Sequence, residues 1–552
     1  MSEDAAVWQL DLPTTERPER IRFLVNEYSS FSNSGSFHLG EAEIDSRIPW
    51  LRPIHRNLHL PRQRRPGELT SSLFGALAIP GQEPITVGVL GPQAHFAQVR
   101  VSPRPGSIRL WVQLQLEGGK PAGKPPEIFV ERGPVWRALD RYARAWGMEP
   151  RAVPAGWCSW YHYYTRIDER ACHRNLELAP RFPVQVFQLD DGYQRDLGDW
   201  LTPNAKFPSG LADLARRARD AGMVPGLWLA PFLARKGHEW VLRDARGRPV
   251  KALWNPAWGA FRFAYALDPT HPGLRKHLRE LFSTLREQGF GFFKLDFLFA
   301  GALPGVRHGP AVTSLEALRG GLQAIRDAVG DAYLLGCGCP LEAGIGLVDS
   351  MRVGNDVTPA WSTWIDRWIG RGFEQLSTRN CLRNTLVRAP LNGRLFHSDP
   401  DCLLTQGLTP TEQRTLAQVN ALSGGTLMIS DDLSALTPER RAVVDFAFQL
   451  SREVRAGGPR TFAAPDLMER RIPELQLALG AEDALLGVYN FGGRPAAKTV
   501  RLRELVPWPR FTVNGSEAGD SISTEEIEPH GARLFRIRAS SQETTSAMTD
   551  AR

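Results

Sequence analysis

In the run Phe290-Gly-Phe-Phe-Lys-Leu-Asp-Phe-Leu298, two charged residues, Lys294 and Asp296, interrupt an otherwise apolar stretch. Residues two apart on a strand share a face. An apolar run of this kind reads as a strand buried on both faces, where charge is tolerated mainly at an exposed end. The spacing therefore predicts Lys294 and Asp296 side by side at a strand's C-terminal tip. About sixty residues on, Met351-Arg-Val-Gly-Asn-Asp-Val357 brings a second carboxylate, Asp356, to the end of another apolar run. Two carboxylates arriving at one barrel mouth suit glycoside chemistry.

A retaining pair stands roughly 5 Å apart, with one carboxylate held ionised as nucleophile and the other cycling between acid and base. Lys294, two residues before Asp296, predicts that Asp296 stays ionised and attacks. Asp356 lies in the turn Gly354-Asn355-Asp356, where partial burial beside another carboxylate raises a pKa and suits the acid/base role. The plainer alternative is a Lys294–Asp296 salt bridge at a barrel end, with Asp356 capping a helix that starts near Thr358. Two such motifs in one barrel favour catalysis.

Asp190 and Asp191, adjacent at a strand end and followed by Gly192, can accept hydrogen bonds from a cluster of sugar hydroxyls. They could also hold a divalent cation, but Lys294 and Arg352 at other strand ends would repel one, so no metal is expected. Asp431-Asp432 reads as a turn or a helix cap. Trp160 and Trp228 can wall a sugar ring or fill the core. Gly336-Cys337-Gly338-Cys339-Pro340 has no partner Cys or His pair at zinc spacing, and close backbone approach to a ligand explains its glycines. There is no Gly-x-Ser-x-Gly and no His-Glu-x-x-His, which leaves serine and zinc hydrolysis without support.

The elements that must position these residues follow from the pattern around them. Up to about residue 145, apolar and polar positions alternate, as in Ile21–Val25 and Ile108–Leu114, between Gly, Pro and Ser clusters. From about Val153, eight short apolar runs alternate with amphipathic helices: Trp157–Tyr163, Val184–Asp191, Val224–Phe232, Phe290–Leu298, Ala332–Gly338, Leu347–Asp356, Arg394–Asp401 and Gly425–Asp432. Helices are expected at Pro272–Gln288, Leu315–Val329, Thr411–Leu422 and Pro438–Val454. Alternation returns in Ala484–Phe491 and Arg533–Ile537. The expected fold is multidomain α/β. An N-terminal β-sandwich-like domain (1–148) precedes a central (β/α)8 TIM barrel (149–456), then a small C-terminal antiparallel β domain (457–538) and a disordered tail (539–552).

A chain of 552 residues exceeds a single core, and 42% hydrophobic with 23% charged residues is ordinary for a globular protein. The formal charge is +7, yet basic residues share their helices with acids, so nucleic acid is not an expected partner. The basic patch Arg62-Gln63-Arg64-Arg65 reads as a solvated loop. The opening Met1-Ser2-Glu3-Asp4-Ala5 has no signal-peptide pattern, and no apolar run is long enough to span a membrane. A cytoplasmic protein with no membrane partner is expected. Six scattered cysteines (Cys158, Cys172, Cys337, Cys339, Cys381, Cys402) read as free thiols.

Taken together, these residues resemble the α-galactosidases of glycoside hydrolase family 36, in their shorter bacterial branch. The likeness lies in Trp157-Cys-Ser-Trp-Tyr161, Asp190-Asp-Gly-Tyr193 with Gly198-Asp-Trp200, and Gly226-Leu-Trp-Leu-Ala-Pro231. It continues in Lys294-Leu-Asp-Phe-Leu-Phe-Ala-Gly301, Gly336-Cys-Gly338, Arg352 to Asp356, and Asp399-Pro-Asp-Cys-Leu403. The resemblance implies a retaining exo-α-galactosidase acting on small oligosaccharides of the melibiose or raffinose type, with Asp296 as nucleophile and Asp356 as acid/base. It places Asp190, Asp191, Lys294 and Arg352 on sugar hydroxyls, puts Trp160, Trp228 and Cys337 in the same pocket, and implies no cofactor. Where the family's N-terminal loop often shows Trp-Gln-Ser-Trp, this chain reads Asn26-Glu-Tyr-Ser-Ser-Phe31, so Tyr28 and Phe31 are the expected loop aromatics. An α-galactosyl transferase, a related α-glycosidase and a non-catalytic sugar-binding protein remain alternatives on the same scaffold. Oligomeric state is not legible.

Overall fold

The computed structural model describes residues 5–31, 34–40, 67–117, 124–149, 151–254, 263–362 and 377–540. The basic patch at Arg62–Arg65 and the tail from residue 541 lie outside these ranges. Each of the eight apolar runs supplies one strand of a single parallel sheet, seven lying within their runs and the first beginning two residues before its run: Ala155–Cys158, Val186–Leu189, Val224–Leu229, Phe292–Leu295, Tyr333–Gly336, Ser350–Arg352, His397–Asp399 and Leu427–Ile429. These are called barrel strands one to eight. Their hydrogen-bonded order is seven, six, five, four, three, two, one, eight. Thr426 N donates to Ser398 O (2.9 Å) and Leu403 N to Met428 O (2.7 Å), which brings strands eight and seven together. The result is the expected TIM barrel.

The helices between the strands start where the sequence offers caps. Ser314–Val329 and Pro410–Leu422 each open with a full capping box, Thr313 with Glu316 and Thr409 with Glu412. Pro438–Ala456 has Pro in its first turn after the cap Thr437. Strands are shorter than the apolar runs because the polar tips leave the ladder to form the mouth. The first run, for example, breaks after Cys158, and Trp160–Tyr163 forms a short helix instead of extending the strand.

Two antiparallel sheets of four and five strands precede the barrel. Phe23, Val87 and Leu77 from one meet Val99, Leu110 and Val112 from the other in a shared core, as alternation on one-sided strands requires. A six-stranded antiparallel sheet follows the barrel and ends in Ala532–Ala539, so Ala539, expected in the tail, is still paired.

Arg388 fixes the N-terminal loop to the barrel. Wholly buried, it donates to Asn26 Oδ1 (3.0 Å), Glu27 O (2.8 Å), Ser29 O (3.0 Å) and Val353 O (2.6 Å), just beyond the sixth barrel strand. Arg388→Met would leave those acceptors buried and unpaired, at about 1–3 kcal/mol each. Differential scanning calorimetry should show the unfolding midpoint lowered by about 5 °C or more. An unchanged midpoint would show that the loop is held by other contacts.

Candidate active site

Asp296 leaves the fourth barrel strand with its N–H still on Leu229 O (2.8 Å), and Phe297 then turns the chain in a left-handed conformation (φ 50°). A bulky residue at positive φ is strained and persists where the surroundings enforce it. Each Asp296 oxygen receives a donor: Phe297 N on Oδ1 (2.6 Å) and Trp228 Nε1 on Oδ2 (3.1 Å). Trp228 is therefore a donor to Asp296, not simply the apolar wall expected from the sequence, and its indole packs edge-on against Trp200 and Phe297.

The expected pairing of Lys294 with Asp296 is corrected. Among the described residues Lys294 pairs with Asp190, Nζ to Oδ2 at 2.8 Å, with side chains 6% and 2% exposed. Residues two apart on a strand are about 6.6 Å apart along it, whereas the long lysine stem reaches across the third strand to the tip of the second. Charges this deep require a direct partner. Burial opposes the ammonium, but Asp190, together with Cys158 and Cys337, outweighs it and holds Lys294 above its ordinary value. Asp190 also accepts from Gln188 Nε2 (2.7 Å), Cys158 Sγ (3.4 Å) and Asp191 N (2.9 Å). Asp191 accepts from Gln194 Nε2 (2.6 Å). Among the described residues no group of three or more His, Cys, Asp or Glu could hold a metal ion.

Arg352, at the tip of strand six, serves three carboxylates at once. It donates from Nη1 to Asp356 Oδ1 (3.0 Å) and from Nε to Asp399 Oδ2 (2.9 Å), and Nη2 lies 2.8 Å from Asp401 Oδ1. Asp356 remains 35% exposed, while Arg352 and Asp399 are 2% exposed and Asp401 is 0%. Burial raises the Asp356 carboxyl and Asp401 adds to it, while Arg352 and Lys294 oppose, leaving it pushed up to about 6. Asp296 follows strand four and Asp356 follows strand six, at the same end of the parallel barrel, and Asp296 also raises the Asp356 carboxyl. The alternative that Asp356 caps a helix near Thr358 fails for the described residues, because 358–362 are not helical.

Cys337, buried after strand five, feels Asp296, Arg352, Lys294 and Asp356, and burial keeps its thiol protonated well above the ordinary range. Of the two loop aromatics, Phe31 stacks on Phe297 (6.4 Å, 15°) and touches Gly338. Tyr28 instead packs edge-on against Phe96 in the core beside Glu342, which removes it from the expected set: an apolar neighbour was available on the sheet side. Trp160 is half-buried and meets Tyr164 edge-on (5.2 Å). Asp432 caps a short helical turn at Ser434, as expected, and Asp431 pairs with Arg440 (2.7 Å). The sequence assigns no role to Asp399, Asp401 or Tyr161, although Asp399 and Asp401 close the seventh apolar run.

A parallel eight-stranded barrel with carboxylates converging at the C-terminal mouth is the architecture of a glycoside hydrolase. No family model matches the chain. An α-galactosidase from Thermus thermophilus, solved with p-nitrophenyl α-D-galactopyranoside, is 33% identical and superposes with a TM-score of 0.67 over 80% of this chain and 88% of that one. The family 36 enzyme AgaA from Geobacillus stearothermophilus shares the fold at 14% identity, with a TM-score of 0.63 over 96% of this chain and 76% of that one. In sequence, α-galactosidase 2 of Pediococcus pentosaceus is 23% identical over 309 residues, which span 52% of this chain and 40% of that protein. The chain thus matches less than half the length of that curated relative. It belongs to the α-galactosidases of glycoside hydrolase family 36.

Proposed function

We propose that the protein is a retaining exo-α-galactosidase that removes terminal α-linked galactose from small oligosaccharides by double displacement. The observation that carries this reading is the contrast between two carboxylates at one mouth. Asp296 has a donor on each oxygen, which fixes its carboxylate for attack. Asp356 is raised to about 6 and is suited to hold and release a proton. Asp296 forms a bond to the anomeric carbon as the glycosidic C–O bond breaks, and Asp356 gives its proton to the leaving oxygen. Asp356 then takes a proton from water as that water attacks the same carbon and frees Asp296. Asp190, Asp191, Lys294 and Arg352 serve the galactose hydroxyls, with Trp160, Trp228, Cys337 and Phe31 lining the pocket around it.

Related enzymes supply the substrate class. The Thermus thermophilus α-galactosidase has been solved with stachyose, and a variant of Geobacillus AgaA with raffinose. No described helix is long and apolar enough to cross a membrane. Six buried free thiols fit a reducing compartment, so the reading places the protein in the cytoplasm.

The test is turnover of p-nitrophenyl α-galactoside beside the α-glucoside and the α-N-acetylgalactosaminide, with the first sugar product followed by proton NMR. The galactoside should be preferred and α-galactose should appear first. Because Asp356 must carry a proton to donate it, kcat/KM should fall as pH rises through about 6. Binding of galactose with no turnover of any of the three would instead favour a sugar-binding protein.

A further inference from the structure

Asp401 touches nothing in the proposed reaction directly, yet its contacts are unusually complete. Its Oδ1 takes Arg352 Nη2 (2.8 Å) and Cys402 N (2.7 Å), and its Oδ2 takes Val357 N (2.8 Å) and the Tyr161 hydroxyl. All four partners are donors, which suits an anion: burial and the Asp399 charge push the Asp401 carboxyl up, and Arg352, Lys294 and the Tyr161 hydroxyl act against them. Val357 directly follows Asp356, so one Asp401 oxygen pins the backbone beside Asp356 while the other holds the guanidinium that Asp356 also uses. Asp401 itself sits at φ 74°, a left-handed conformation that a non-glycine residue keeps only under constraint. Asp399 adds a third acid on Arg352, steadied by Thr426 Oγ1 (2.9 Å).

We infer that Asp401, supported by Asp399 and Tyr161, is a positioning residue that draws the charge of Arg352 away from Asp356 and so sets the proton affinity of the acid/base. A lone guanidinium 3.0 Å from Asp356 would hold that carboxyl ionised and useless as an acid at neutral pH. Two further carboxylates on the same cation reverse the balance. Among the described residues, the charged and titratable groups facing Asp356 include Arg352 from strand six, Lys294 and Asp296 from strand four, and Cys337 from strand five. Asp399 and Asp401 face it from strand seven, Tyr161 and Tyr164 from the segment after strand one, and Cys381 from the helix Thr378–Val387. Burial and Asp401 raise Asp356, in the sense the geometry requires.

This inference rests on Asp356 being the acid/base. The experiment is the pH dependence of kcat/KM for wild type and Asp401→Asn, with melibiose and with p-nitrophenyl α-galactoside. Removing a negative charge, and freeing Arg352 to act on Asp356, should move the alkaline limb down by about one pH unit. At pH 7 melibiose, whose leaving group needs the proton, should lose about tenfold, and the aryl galactoside less. The acidic limb should stay, and activity below the new limb should approach wild type. An unmoved or raised limb, or an equal loss at every pH and with both substrates, would overturn the inference. Asp401 is fully buried, so Asp399→Asn, on the same guanidinium, provides a second variant with the same expected direction. A wild-type alkaline limb at or below about pH 4, the ordinary carboxylate value, would overturn it without any variant. Asp356→Ala distinguishes the two failures: if that variant keeps wild-type turnover of melibiose, the acid/base reading itself is wrong.

Discussion

Asp296→Ala should hydrolyse p-nitrophenyl α-galactoside about 10^5-fold more slowly than wild type, a loss of about 7 kcal/mol of transition-state stabilisation. Alanine offers no oxygen to the anomeric carbon and leaves Trp228 Nε1 and Phe297 N without their carboxylate partner. The cavity so created admits a small anion. Sodium azide should restore turnover by attacking the anomeric carbon from the vacated face while Asp356 protonates the leaving group. The product should be β-galactosyl azide, inverted relative to the substrate. Residual hydrolysis near the wild-type rate would remove Asp296 from the reaction.

Asp356→Ala should show the complementary pattern. General acid catalysis contributes about 10²–10⁴-fold, and melibiose, with a poor leaving group, should lose that full amount. The aryl galactoside, whose phenolate leaves with little help, should still form the covalent intermediate rapidly and then stall for lack of a base. Azide needs no base, so it should relieve the stall and yield α-galactosyl azide, with retained configuration. The dependence on pH near 6 should also disappear. Equal losses for both substrates, with no response to azide, would mean that Asp356 acts through structure alone.

These contrasting outcomes depend on features of unequal visibility in the sequence. The barrel was legible because buried strands and amphipathic helices impose local periodicities: Phe292–Leu295 lies inside the Phe290–Leu298 run, and Pro272–Glu287 matches the helix expected there to within one residue. The polar tips were legible for the same reason, since a charge at the end of a buried run has few places to go. Partner choice was not. Lys294 and Asp190 are 104 positions apart, and only barrel closure brings the ammonium across Trp228 to that carboxylate. Nearness in sequence favoured Asp296, but lysine reach and the need to pair two buried charges decided otherwise.

Arg352 illustrates the same limit. Its use by Asp356 is a four-residue relation visible in the chain, whereas Asp399 and Asp401 join it from the next strand by register alone. Tyr28 and Phe31 lie three residues apart in one loop, yet one turns onto Phe96 in the core that continues into the barrel and the other onto Phe297. No periodicity distinguishes them, because an irregular loop held by Arg388 has none.

The most direct test of the central claim is to trap the intermediate. Incubation of the wild type with 5-fluoro-α-galactosyl fluoride slows the second displacement more than the first, so a retaining enzyme accumulates as its galactosyl ester. Peptide mass spectrometry should then find one fluorogalactosyl group per chain, carried on Asp296. Labelling of another residue, or inactivation with no covalent adduct, would contradict a double displacement through Asp296.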